Sequence, residues 1–130
     1  MGGGKIFWWV VKKIFRRNNP KRVYVKPEKF RKNIERYIEM TISKYDVNRI
    51  IFIKIAAPSE KLKKSSPFLS DNVNKYNEIY EDLKNKFPQS IDTVDSLCVP
   101  NEDFFVEDGY HINRKGNELV FRSLRTILST

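Results

Sequence analysis

The chain has 130 residues, of which 32% are charged and 40% hydrophobic, and it carries a formal net charge of +9. This length suits one small domain or part of a larger one, because compact domains commonly contain about 100 to 150 residues. The single cysteine, Cys98, excludes an internal disulfide framework and a cysteine-rich metal centre. We expect Cys98 to be a small core or loop residue.

The positive charge is concentrated in the first quarter of the chain. Residues 1–32 contain eleven Lys/Arg and one acid, Glu28, whereas 14 basic and 15 acidic residues follow. Only this first quarter is therefore expected to attract phosphates, anionic lipid or an acidic polymer.

Residues 5–17 mix aromatic and basic side chains. The apolar run at residues 6–11 is too short for a membrane span, which needs about 20 residues, or for a signal sequence. We expect an amphipathic segment packed over a sheet or a partner surface; contact with a membrane interface or an anionic groove is the alternative. Without a targeting signal, the default expectation is a cytoplasmic location.

The next two elements are a helix and a strand. From Pro27 the spacing of apolar residues predicts an amphipathic helix of about four turns, ended by residues 46–48. Its apolar positions are Phe30, Ile34, Tyr37, Ile38 and Ile42. The apolar run at residues 50–56 then predicts a strand that is covered on both faces and has a strand on each side.

A Lys/Ser-rich loop is predicted for residues 60–67. A second amphipathic helix should begin at Ser70 or Asp71, be capped by one of them, and run to Phe87, where Pro88 stops it. Residues 91–94 read as a short strand, and a loop leads to Asp108. Asn113 is positioned to cap a final helix.

This alternation of helices and strands predicts an α/β layered fold with parallel strands joined by right-handed crossovers. Two strands do not make a complete sheet. Either the N-terminal segment contributes another strand, or the chain belongs to a larger sheet, and the second reading is favoured because Val23-Tyr24-Val25 is too short to complete a core.

The stretch EDGYHINRKGNEL contains the only histidine, His111, three residues after Asp108. A carboxylate that binds a histidine ring fixes its tautomer and stabilises the imidazolium formed during proton transfer. A turn through Gly109 can bring the two side chains together. The alternative is a solvated polar turn ahead of a helix.

The block DGYHINRKGNELV resembles the last conserved block of the SGNH, or GDSL, hydrolases. Residues 20–130 are similar to that family in element order as well, through PEKF, IFIKIAAPSEK, KYNEIY and IDTVDSL. The resemblance implies a three-layer α/β/α, flavodoxin-like fold, here with an incomplete sheet. It also implies activity as an esterase, lipase, thioesterase or carbohydrate deacetylase.

By this resemblance, His111 matches the general base that activates a nucleophilic serine, and Asp108 matches the carboxylate that orients it. Gly109 would allow the tight turn, and Tyr110 would flank the site. Asn113 and Gly116 are expected to shape the start of the last helix. No metal or organic cofactor is implied.

The family's Gly-Asp-Ser block, and the Gly and Asn that complete its oxyanion hole, have no counterpart in this sequence. The only glycines are Gly2, Gly3, Gly4, Gly109 and Gly116. The resemblance thus divides the chain into a basic aromatic segment, residues 1–22, and the C-terminal half of an SGNH-like domain, residues 23–130. A complementary N-terminal half would supply the serine, and an acylated small molecule or carbohydrate would be the substrate.

Other interpretations stay open. Four serines, Ser59, Ser65, Ser66 and Ser70, lie near the expected carboxyl end of the first strand, but none has a recognisable nucleophile turn. The chain could instead be a non-catalytic module that binds anionic lipid, polysaccharide or, less favoured, nucleic acid through residues 5–22. A degenerate remnant without function is the third interpretation.

Overall fold

The computed structural model describes residues 25–97 and 102–129. Within these ranges the helices are α1 (Pro27–Tyr45), α2 (Glu60–Ser65), α3 (Leu69–Lys86) and α4 (Arg114–Leu128). The strands are β1 (Ile50–Ile53) and β2 (Ile91–Val94), and a 3-10 helix spans Glu102–Phe104. This mixture of helix and parallel strand agrees with the predicted α/β class.

Three sequence-based expectations lie outside the described residues: the basic segment, the boundary after residue 22 and the environment of Cys98. None of the helices in the described ranges is both long enough and apolar enough to span a bilayer.

Helix α1 forms where the sequence predicts it. Pro27 occupies the first turn, where its missing N–H costs no hydrogen bond, and Glu28 lies near the positive end of the helix dipole. The helix ends at Asp46, which adopts a left-handed conformation with φ of 51°. Asp tolerates that conformation better than most residues, so it is a suitable terminator.

The loop predicted for residues 60–67 is wrong in its first part, because residues 60–65 form α2. Ser59 makes this helix possible: its Oγ accepts a hydrogen bond from the Leu62 backbone N at 3.2 Å, and Glu60 adds an acid to the first turn. The sequence therefore carries a helix-start signal at Ser59 and Glu60, directly where the loop was predicted to begin.

Helix α3 begins at Leu69, and Phe68 is its N-cap residue without a side-chain hydrogen bond. The predicted cap at Ser70 or Asp71 is therefore wrong. The end is as expected, because Phe87 is the C-cap residue immediately before Pro88.

Strands β1 and β2 pair in parallel, with Ile50 opposite Ile91 and Ile53 opposite Val94. Strand β2 has the predicted bounds, but β1 ends at Ile53 instead of residue 56. Full coverage of β1 was also predicted, and it is wrong for the described residues, because Ile53 is 45% exposed. The second neighbouring strand expected for β1 is not among the described residues.

The core lies between α1, α3 and one face of the strands. Its buried residues are Ile38, Ile79, Leu83 and Ile91. An aromatic cluster extends this core: Tyr80 contacts Phe30 edge-on and stacks on Phe52, with ring centroids 5.6 and 5.0 Å apart. Helix α4 contacts β2. The segments that follow the two strands, residues 59–65 and 102–113, meet beyond the carboxyl end of the sheet.

Candidate active site

Residues 108–111 form a tight turn between the sheet and α4. One carboxylate oxygen of Asp108, Oδ1, accepts hydrogen bonds from the backbone N of Tyr110 at 2.8 Å and of His111 at 3.0 Å. The Gly109 backbone N donates to the Val106 carbonyl at 2.9 Å. These bonds close the turn locally, as Asp side chains commonly do in turns.

The second carboxylate oxygen of Asp108, Oδ2, lies 2.6 Å from Nδ1 of His111. The prediction that the three-residue spacing brings these side chains together is confirmed. The hydrogen bond from the His111 ring, assisted by the backbone N–H groups of His111 and Tyr110, lowers the pKa of Asp108 from 3.8 to about 2. Asp108 is consequently a carboxylate at neutral pH.

The imidazole ring presents its other nitrogen to the surface. The side chain of His111 is 71% exposed and that of Asp108 is 47% exposed. Because Nδ1 is bound to Asp108, Nε2 is the nitrogen left to accept a proton from an incoming group. The ring of Tyr110 meets the imidazole edge-on at 5.0 Å and forms one wall of this exposed position.

Gly109 is required by both conformation and space. Its φ is +70°, and a Cβ built on it would lie 2.3 Å from Ser59 Oγ. Ser59 is fully buried and caps α2, so it cannot easily move aside. The Asp108–His111 turn therefore packs against the start of α2 through the contact between Gly109 and Ser59.

Asn113 joins the same loop to α4. Its side-chain N donates to the Asp103 carbonyl at 2.7 Å and to the Phe105 carbonyl at 3.1 Å, while its Oδ1 accepts from the Gly116 backbone N at 3.2 Å. Gly116 is buried, and a Cβ there would lie 2.7 Å from the Phe104 carbonyl oxygen. The structural roles expected for Asn113 and Gly116 agree with these contacts.

The contribution of α2 was missed by the sequence reasoning. The Lys61 backbone N donates to Glu102 Oε1 at 3.0 Å, and the Lys61 side chain donates to the Glu107 carbonyl. These contacts tie α2 to the first residue of the 3-10 helix and to the loop that follows this helix. They join residues more than 40 positions apart, so no local sequence signal announces them.

Two of the four serines considered as nucleophiles, Ser59 and Ser65, make other contacts. Ser59 is buried beneath Gly109, and Ser65 Oγ donates to the Leu62 carbonyl at 3.0 Å. Ser70 Oγ is buried and has no hydrogen-bond partner among the described residues. No hydrogen bond joins a serine to His111 in the part of the chain that the structure describes.

A separate polar cavity of about 400 Å³ lies at the carboxyl ends of the strands. Lys54 lines it and forms ion pairs with Glu81 and Asp95, each with N and O atoms 2.7 Å apart. Burial disfavours the charged Lys54, but its hydrogen bonds with Asp95 and Glu81 outweigh burial and raise its pKa. Asp108 and His111 do not line this cavity, and the described residues contain no cluster of three potential metal ligands.

The fold and site thus define an α/β chain with a surface Asp–His dyad. The chain matches no family model, and neither the curated proteins nor the solved structures yielded a match to it.

Proposed function

We propose that this chain is the Asp–His part of a truncated or split ester hydrolase of the SGNH/GDSL type, inactive by itself. The observation that carries the proposal is the 2.6 Å contact between Asp108 Oδ2 and His111 Nδ1 in a turn that leaves Nε2 exposed. The carboxylate holds the ring in the orientation and tautomer that a general base needs.

We also propose that the complete fold is a three-layer α/β/α, flavodoxin-like arrangement. Thr93 Oγ1 donates to Glu81 Oε1 on α3 at 2.8 Å, so this side chain faces α3. Successive strand residues point to opposite faces, which directs Val94 away from α3. Val94 lines a groove with Leu119 and Ile127 of α4, which favours helices on both faces of the sheet.

The proposed mechanism needs a serine from a complementary N-terminal half. The serine oxygen attacks the acyl carbon of the ester while its proton passes to His111 Nε2, and Asp108 stabilises the resulting imidazolium. The C–O bond of the ester then breaks, and the leaving alcohol takes the proton from Nε2. Nε2 then takes a proton from water, whose oxygen attacks the acyl carbon; the bond from that carbon to the serine oxygen breaks, the serine oxygen takes the proton back from Nε2, and the carboxylic acid leaves. His111 carries out every proton transfer in this cycle, and Asp108 orients its ring and stabilises the imidazolium.

Without the serine and the oxyanion hole, the chain should have negligible activity, because these groups act as a unit and their effects are not additive. The substrate class is an acyl ester of a small molecule or carbohydrate. The exposed position of His111 leaves room for a partner segment and a substrate to approach Nε2.

The test begins with translation, in every frame, of the DNA upstream of Met1 in search of a Gly-Asp-Ser segment with Gly and Asn blocks. The encoded segment is then purified and mixed with this chain, and hydrolysis of an acetyl ester is followed. We expect activity only in the mixture. His111→Ala should abolish it and Asp108→Asn should lower it strongly, whereas the matched control Tyr110→Phe, which keeps the ring, should retain it.

Full activity with His111→Ala would overturn the assignment, and so would the lack of any such upstream segment. A second candidate function, binding to an anionic surface through residues 5–22, is favoured by the eleven Lys/Arg among residues 1–32. Sedimentation with vesicles of anionic and of neutral lipid distinguishes it, because binding should require the anionic lipid and disappear when residues 1–20 are deleted.

A further inference from the structure

The side chains of the Asp108–His111 dyad are exposed, so little packing holds them in place. The aromatic contact of the imidazole within the described ranges is the edge-on ring of Tyr110. A general base must nevertheless be oriented before the reaction, because catalysis by positioned groups depends on prior alignment. The orientation of this dyad therefore depends on the backbone of the turn that carries it.

Hydrogen bonds within the turn hold most of this backbone. Asp108 Oδ1 accepts from two backbone N–H groups of the turn. The Val106 backbone N donates to the His111 carbonyl at 2.9 Å, and the Val106 carbonyl accepts from the Gly109 backbone N at 2.9 Å. These bonds fix the two ends of the turn, and the Glu107 carbonyl lies between them on the chain.

The Glu107 carbonyl is bound from outside the turn, by the side-chain ammonium of Lys61 in α2. This carbonyl belongs to the peptide unit that joins Glu107 to Asp108, and a peptide unit is rigid and planar. Its direction therefore fixes the position of the Asp108 Cα and, through it, the start of the carboxylate side chain. A charged donor also makes a stronger hydrogen bond than a neutral one.

Helix α2 is itself attached to the loop at two further points, so Lys61 is held in a defined place. The Lys61 backbone N donates to Glu102 Oε1 at 3.0 Å. Ser59, the N-cap residue of α2, packs against Gly109. The packing of Ser59 limits the movement of Gly109, whereas the Lys61 side chain supplies a polar bond directly ahead of Asp108.

We propose that Lys61 is a positioning residue of the dyad: it holds the Glu107 carbonyl so that Asp108 Oδ2 stays against His111 Nδ1. Lys61 acts through the backbone of Asp108, and it takes no part in proton transfer. The value of this orientation for ester hydrolysis rests on the proposed function, but the effect of Lys61 on the geometry of the dyad does not.

Two NMR measurements on the chain alone test the proposal. The ¹⁵N shifts of the ring give the ratio of the two neutral His111 tautomers, and the carboxyl ¹³C shift of Asp108 gives its pKa. Lys61→Met removes the ammonium but keeps the backbone N–H that binds Glu102. We expect the ratio of the Nδ1-protonated to the Nε2-protonated form to fall by roughly 2- to 10-fold, the range that one hydrogen bond supports. The pKa of Asp108 should rise from about 2 towards 3.8.

Two further variants show whether the ammonium of Lys61 is the cause. Lys61→Arg, which keeps a charged donor, should give the tautomer ratio and the Asp108 pKa of the unmodified chain. The matched control Lys63→Met removes an ammonium that pairs with Glu60 of α2 itself, and it should change neither quantity. Unchanged values in Lys61→Met would overturn the proposal. Equal changes in Lys61→Met and Lys63→Met would also overturn it, since they would report only a loss of charge.

If Lys61→Met does not fold, the unmodified chain still decides. Nuclear Overhauser effects must then join the Lys61 Cε hydrogens to the Asp108 Hα, which lies beside the Glu107 carbonyl, and their absence would overturn the proposal. Failure of an N-terminal half to restore ester hydrolysis would refute the proposed function and leave these measurements unaffected, so the two ideas can fail separately.

Discussion

Replacing Gly109 with alanine should destabilise the chain through two separable effects. A non-glycine residue at φ +70° costs about 1–2 kcal/mol. The new Cβ would also lie 2.3 Å from Ser59 Oγ, and overpacking of this kind typically costs about 1–3 kcal/mol. We therefore expect a loss of about 2–5 kcal/mol, a large part of the roughly 5–15 kcal/mol that stabilises a typical domain.

A double-mutant cycle separates the two effects. Ser59→Ala removes the hydroxyl that the new Cβ would meet, and the remaining Ser59 Cβ lies 3.5 Å away, which is ordinary contact. In the Ser59→Ala background, Gly109→Ala should cost only the conformational part, about 1–2 kcal/mol. Urea unfolding of the four proteins, followed by circular dichroism, gives the coupling between the two positions.

Two results would refute this reasoning. A Gly109→Ala variant as stable as the original chain would mean that the turn has no positive φ. Additive effects within about 0.5 kcal/mol would mean that Ser59 and Gly109 are not in contact.

Two further predictions concern the same loop. Asp108→Asn should remove stability that is present above pH 3.8 and lost as the pH falls towards 2, because the folded-state pKa of Asp108 is lowered to about 2. The difference in urea midpoint between the two proteins should accordingly shrink across that range, and a constant difference would contradict it. Asn113→Ala should lower the free energy of unfolding by about 1–2 kcal/mol. It removes the cap of α4 and leaves the carbonyls of Asp103 and Phe105 without the hydrogen bonds that the Asn113 side chain donates. The control Asn117→Ala, at an exposed position of the same helix, should change the unfolding free energy by less than about 0.5 kcal/mol. Equal losses for Asn113→Ala and Asn117→Ala would contradict the capping role of Asn113.

Much of the fold was predictable because its signals are local. The Pro27 start of α1, the β2 strand and the Asn113 cap each depend on residues within one or two turns of one another. The error at α2 arose where local signals compete: Ser59 caps a helix whose lysines and serines suggested a loop.

The candidate site, too, was predictable only where its contacts join residues that are close in sequence. The Asp108–His111 contact follows from a three-residue spacing, so the sequence predicts it. The support of Gly109 by Ser59, and the bonds from Lys61 to Glu102, join segments that are distant in sequence. Only the tertiary fold brings them together, and no periodicity or motif reports such contacts.

The most direct test of the dyad is the tautomer of His111, measured by ¹⁵N NMR of the chain alone at a pH where the ring is neutral. His111 is the only histidine, so one pair of ring-nitrogen signals reports it. If Asp108 holds Nδ1, that nitrogen carries the proton, Nε2 has the chemical shift of an unprotonated nitrogen, and Asp108→Asn changes this pattern. A proton on Nε2 in the unmodified chain would contradict the account, because His111 could not then act as a general base towards an incoming serine.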